Sequence, residues 1–173
     1  MRQSGLGGVG LMCLLAGLVS SEIAWSDADD IYGFTAPDID GNPTSFNKYK
    51  GKVVVIMNVA SNDGFRVAAF PSNQFANQEP WDEPKIKKWA SERHGVTFDM
   101  YSKVNVNGRD AHPLYKFLKS KQKDHTSDRS IKWNYTKFLI NRNGVPIARY
   151  KPATDPDEME DDIAKALGVP KKT

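Results

Sequence analysis

The chain has 173 residues, 39% hydrophobic, 10% aromatic and 26% charged, with a formal net charge of +3. That is the profile of one globular domain, and it excludes a disordered tail; thirteen glycines and ten prolines without a period exclude collagen-like and low-complexity chains. So mild a positive charge makes no case for nucleic acid as a partner.

In chain order, Met1-Arg2, an apolar stretch over residues 5–19 and the small-residue pattern Val19-Ser20-Ser21 predict a signal peptide over residues 1–24. A mitochondrial presequence would want more arginine and an amphipathic period, so secretion is the expected destination. Cys13, the single cysteine, lies inside that segment and would leave with it. Disulfides, Cys-X-X-Cys redox pairs and cysteine zinc sites are then excluded for the domain. His94, His112 and His125 stand too far apart for ligand spacing, so no metal is expected.

Residues 25–30 read as an acidic linker, 31–168 as the domain and 169–173 as a tail. Residues 31–34 predict a short strand that turns at Asp38-Ile39-Asp40-Gly41-Asn42-Pro43 and returns at Phe46, an N-terminal β-hairpin. The run Val53-Val54-Val55-Ile56-Met57-Asn58-Val59-Ala60 has no polar alternation, as expected of a strand covered on both faces. Residues 66–70 form a second such run. Asp82-Glu83-Pro84 starts a helix with Ile86, Trp89 and Ala90 as its buried stripe and His94-Gly95 as its end. Residues 96–100 predict a brief strand, and Pro113 with Leu114, Phe117 and Leu118 an amphipathic helix. Residues 136–140 and 145–150 around Asn141-Arg142-Asn143-Gly144 make a hairpin. Asp155-Pro156 opens a last helix with Met159, Ile163 and Leu167 inward. This order predicts an α/β layer of thioredoxin-like type.

Several segments together resemble the glutathione peroxidase family: Gly51-Lys52-Val53 through Asn58-Val59-Ala60-Ser61, Phe70-Pro71-Ser72-Asn73-Gln74-Phe75 with Gln78-Glu79-Pro80, Phe98-Asp99-Met100, Val106-Asn107-Gly108 with Ala111-His112-Pro113-Leu114, and Trp133-Asn134-Tyr135-Thr136-Lys137-Phe138-Leu139. The resemblance implies a thioredoxin-like fold and reduction of hydrogen, organic or lipid hydroperoxides, with glutathione or another thiol as co-substrate and no cofactor. It places Gln78, Trp133 and Asn134 at catalytic positions, where two amides and an indole N–H donate to the anion and polarise the peroxide.

One departure is severe. The family carries cysteine or selenocysteine one residue beyond the Asn-Val-Ala-Ser strand, because a thiolate or selenolate attacks the O–O bond and then cycles through a sulfenic or selenenic acid. Here Asp63 occupies that apparent position, and a carboxylate does neither. About two dozen residues, holding the nucleophile and the first crossover helix, are missing before the second apolar run. Ser72 and Ser91 stand where relatives carry other cysteines. The expectation is an inactive chain related to a selenoprotein, its UGA-centred segment bridged by a false intron in the reading of the gene or skipped as an exon; the competing reading is a non-catalytic thioredoxin-like binding protein or a misassembled isoform. Parallel strands ordinarily need a longer crossover, and Asn62-Asp63-Gly64 is a tight-turn sequence. The second run is therefore expected to fold back antiparallel and carry Gln78 away from the site, or else to leave the sheet poorly stable. The short loop after Leu118 resembles that of monomeric relatives acting on phospholipid hydroperoxides. Lys119, Lys121 and Lys123 are the candidate contacts to a lipid surface. Asn134-Tyr135-Thr136 is a glycosylation sequon that folding is expected to hide.

Overall fold

The core is organised by the most apolar run in the chain. Val53, Val54, Val55, Ile56 and Met57 are all buried, with Val54 and Ile56 in one apolar cluster and Val53, Val55 and Met57 in another. Alternation of a strand's side chains thus serves two cores, one on each face of a sheet. The computed structural model describes residues 24–57, 66–123 and 129–169. The expected signal segment, Cys13, Asp63 and His125 lie outside them.

A small antiparallel hairpin pairs β1 (Thr35–Pro37) with β2 (Pro43–Ser45). The main sheet holds β3 (Val54–Met57), β4 (Arg66–Ala69), β5 (Asp99–Met100), β6 (Lys137–Ile140) and β7 (Pro146–Tyr150), in the order β5-β4-β3-β6-β7. β3 and β4 are parallel, with Val54 opposite Arg66 and Met57 opposite Ala69. This corrects the expected antiparallel return. The reach of the chain allows it: the path back along a four-residue strand and across to its neighbour is about 18 Å, and eight linking residues can span about 27 Å. Phe70 N–H continues the ladder to Met57 O at 3.0 Å, so the segment leading to Gln78 keeps its direction.

Among the described residues there are three α-helices: α1 (Glu83–His94), α2 (Pro113–Lys121) and α3 (Glu160–Leu167), the last preceded by a 3₁₀ turn at Pro156–Met159; α2 packs into the core on one face of the sheet and α3 into that on the other. The Asp82 carboxylate accepts Lys85 N–H at the start of α1, and Gly95, at φ +59°, ends it as a left-handed cap. The expected stripe on α1 is half right. Ile86 and Ala90 are buried, whereas Trp89 is 49% exposed and packs against Trp81 and His94.

Two other differences are local. Residues 31–34 are not a strand: Ile31 is buried, its N–H bonded to Gly144 O and its own carbonyl accepting Phe34 N–H. Gly144, at φ +78°, has no room for a side chain, because a Cβ would sit 2.8 Å from the Tyr32 ring. Lys137 is buried within β6, where its Nζ donates to the carbonyls of Pro152 at 3.0 Å and Thr154 at 2.6 Å and closes the turn after β7. Burial holds that amine below the usual lysine range.

Candidate functional site

Gln78 follows a turn whose residues Ala76 and Asn77 have φ of +52° and +53°. Non-glycine residues reach that region only when their surroundings hold them, and here the holds are visible. Gln78 N–H bonds to Phe75 O, the Asn73 carboxamide accepts Glu79 N–H at 3.0 Å, and Lys103 Nζ donates to Glu79 O and Trp81 O at 3.1 and 2.7 Å. Burial keeps the Glu79 carboxyl above its ordinary value, opposed by the nearby Lys103 charge.

Trp133 and Asn134 come from a turn preceding β6, in which Tyr135 adopts φ +65°. The turn meets the Gln78 loop directly: Asn134 Nδ2 donates to Gln78 Oε1 at 3.1 Å, across 56 residues of sequence. The Trp133 ring leans on Phe75 with centroids 5.9 Å apart and remains 45% exposed. Core packing therefore does not account for this indole. Gln78 is exposed, and neither its Nε2 nor Trp133 Nε1 makes a hydrogen bond among the described residues. The three residues singled out in the sequence thus form one small surface, with the Gln78 amide and the Trp133 indole N–H as its open donors among the described residues, suited to an oxyanion or a polarised peroxide oxygen.

The remaining candidates have other work. Ser72 is buried with an unpartnered hydroxyl, and Ser91 lies exposed on α1; neither supplies a thiol. His112 caps α2, its Nδ1 accepting Leu114 N–H at 3.3 Å, and His94 packs on Trp89. Among the described residues no cluster of three or more His, Cys, Asp or Glu could hold a metal. Of the three lysines proposed for a lipid surface, Lys119 turns inward to Val106 O at 2.6 Å and Lys121 lies over the Phe117 ring. Lys123 instead joins Lys132, Arg149 and Lys151 around a cavity of about 840 Å³ that Thr136 and Tyr150 also line.

The sequon is closed by the same turn. Thr136 is buried and its hydroxyl donates to Trp133 O at 3.3 Å, while Asn134 is held by Gln78. Peptide mass spectrometry of the chain expressed through a secretory pathway is expected to find Asn134 unglycosylated; occupancy there would mean that the chain passed the glycosylation machinery with this turn unformed.

A mixed sheet with a leading hairpin, flanking helices and a donor-bearing turn beside the sheet defines a thioredoxin-like oxidoreductase scaffold. Its general fold is shared with a thiol:disulfide interchange protein from Chlorobium tepidum TLS, at TM-score 0.52 and 17% identity, covering 78% of this chain and 93% of that one. The crystal structure of T. cruzi GPX1 is nearer, at TM-score 0.65 and 34% identity over 81% of this chain and 97% of that one. The glutathione peroxidase family model matches residues 31–65 and 61–119. A glutathione peroxidase of Schistosoma mansoni is 45% identical over 168 residues, 86% of this chain and 97% of the relative. The phospholipid hydroperoxide glutathione peroxidase of Callithrix jacchus is 40% identical over 171 residues, 86% of each chain. The chain belongs to the glutathione peroxidase family, oxidoreductases that reduce hydroperoxides with glutathione or another thiol and no prosthetic group.

Proposed function

We propose that this chain is a secreted, monomeric member of the family that retains the peroxide-polarising surface and lacks the nucleophile. The observation that carries the reading is the Asn134–Gln78 contact at 3.1 Å with Trp133 half-exposed beside it. In the complete enzyme a thiolate or selenolate takes the distal peroxide oxygen and releases an alcohol. Two thiols then restore it, so that ROOH and two RSH become ROH, water and RSSR. Gln78, Trp133 and Asn134 donate hydrogen bonds to the charge that develops in the first step.

Two features support a missing segment. The family model matches in two pieces that meet at residues 61–65. The alignment to the Schistosoma mansoni relative runs over 168 residues, yet 86% of this chain is only about 149 residues. A UGA-centred segment, bridged by a false intron in the reading of the gene or skipped as an exon, fits both. As a substrate class we favour lipid hydroperoxides: the cavity lined by Lys123, Lys132, Arg149 and Lys151 against the one carboxylate of Asp162 carries a net positive charge that complements an anionic headgroup, at about 1 kcal/mol per cation near a charged surface, and it takes that role in place of Lys119 and Lys121. A non-catalytic binding protein is the second reading, favoured by the two core clusters that the described residues form on either face of β3.

The purified chain, assayed with hydrogen peroxide and with phosphatidylcholine hydroperoxide in the presence of glutathione, is expected to turn over no faster than its Gln78→Ala/Trp133→Ala variant. Turnover above that control would mean that another residue supplies the nucleophile.

A further inference from the structure

Three stretches that are remote in sequence meet beneath the site, and two carboxamides join them. Gln74, in the loop that carries Gln78, accepts the N–H groups of Val106 and Asn107 on Oε1 at 2.8 and 2.9 Å, while its Nε2 donates to Asn107 O at 3.1 Å. Asn107 in turn grips the turn that carries Trp133 and Asn134. Its Nδ2 donates to Ile131 O at 2.7 Å, and its Oδ1 accepts Ile131 N–H at 2.9 Å and Lys119 Nζ at 3.3 Å. Lys119 also holds the adjoining Val106 O, and Asn105 O accepts His112 N–H at 2.8 Å.

We propose that Asn107 is a positioning residue: through Gln74 on one side and Ile131 on the other, it sets the distance between the Gln78 loop and the Trp133–Asn134 turn. The chemistry suits the task. A primary amide offers donors and an acceptor in one rigid plane, so a single side chain satisfies both backbone groups of Ile131. Ile131 is itself buried, where an unpaired backbone group is costly, which makes the grip hard to exchange for water. The Asn134–Gln78 contact has no covalent or strand-ladder link of its own. It depends on how the two loops are held, and Asn107 is bonded to both.

This inference rests on the reading of Gln78, Trp133 and Asn134 as a site, but its test is independent of turnover. Proton NMR of the isotopically labelled chain reads the cross-peak between the Asn134 and Gln78 side-chain amides. Asn107→Ala is expected to abolish it. Asn107→Asp, which keeps an acceptor for Ile131 N–H and Lys119 Nζ and adds a negative charge facing that amine but cannot donate to Ile131 O, is expected to abolish it as well, and decides the matter if the alanine variant does not fold. Tyr49→Phe serves as the control, because it removes buried hydrogen bonds to Asp99 and Tyr101 away from the site; there the cross-peak is expected to persist. A cross-peak retained in the folded Asn107 variants, or lost equally in Tyr49→Phe, would overturn the proposal. Turnover above the Gln78→Ala/Trp133→Ala control would overturn the reading of an inactive family member and leave this result untouched.

Discussion

Phe70→Ala is expected to lower the stability of the domain by about 3–5 kcal/mol, read as a fall in the urea midpoint at unchanged slope. The ring is fully buried. It stacks on Tyr101 with centroids 4.5 Å apart and planes 12° from parallel, lies 6.2 Å from Phe46, and meets the edge of Tyr115 at 5.6 Å. These neighbours come from the 3₁₀ turn after β2, the segment after β5 and α2, so a cavity at Phe70 loosens contacts that elements far apart in sequence share. A loss of this size is a large part of the roughly 5–15 kcal/mol that holds a small domain. Because Phe70 also begins the segment running to Gln78, the site contacts are expected to fray with it. A midpoint within about 1 kcal/mol of the parent would mean that the aromatic stack closes over the gap.

The second large effect is alkaline unfolding. Tyr49, Tyr101 and Tyr115 are buried, and burial holds all three phenols well above the ordinary tyrosine value near 10. Tyr49 is raised further by the neighbouring Tyr101 and Asp99, while Tyr101 is lowered in part by its hydrogen bond with Tyr49. The folded state keeps these protons where the unfolded chain has released them. Their stabilising contribution is therefore complete below pH 10 and is lost as pH rises beyond it, at about 1.4 kcal/mol per unit for each group and about 4 for the three. Lys137 acts in the opposite sense, since its lowered pKa means that it gives up its charge in the fold before it would in the unfolded chain. Three phenols outweigh one partly opposed amine. Phenolate absorbance and circular dichroism are expected to change together in one cooperative step between about pH 11 and 12. Titration of the phenols near pH 10 with the circular dichroism intact would contradict this account. Tyr115→Phe is the informative variant: the hydroxyl has no partner, so its removal is expected to stabilise the domain by about 1 kcal/mol at neutral pH and to move the alkaline midpoint upward.

The parts of this molecule that could be read from its sequence are those in which one local signal decides. The unbroken apolar run of β3, the Asp82 and Gly95 caps of α1 and the Asn141–Gly144 turn are of that kind. Local signals failed where a distant partner decides. Asn62-Asp63-Gly64 has the chemistry of a reversing turn, yet β4 lies parallel to β3, because Val67 joins one core cluster and Ala68 the other, and the pairing follows those faces. Trp89 has helical spacing with Ile86 but finds its partners in Trp81 and His94. The burial of Lys137 is decided by the carbonyls of Pro152 and Thr154 after β7, which no local signal announces. The same holds for the site. Gln78, Trp133 and Asn134 were legible as motif positions, whereas Gln74 and Asn107 stood in equally plain motifs without a role, since theirs exists only where three segments converge.

The parallel pairing of β3 with β4 across eight linking residues carries a wider consequence. In most parallel sheets the crossover helix belongs to the architecture, and its removal would be expected to undo the strands it joins. Here the two cores bind the strands by their faces, so the connection behaves as a replaceable cassette. On the proposed loss of the nucleophile segment, the reactive atom belongs to one insert, while the groups that receive the substrate belong to loops anchored on the two cores, so reactivity and substrate reception are properties of separate parts of the chain.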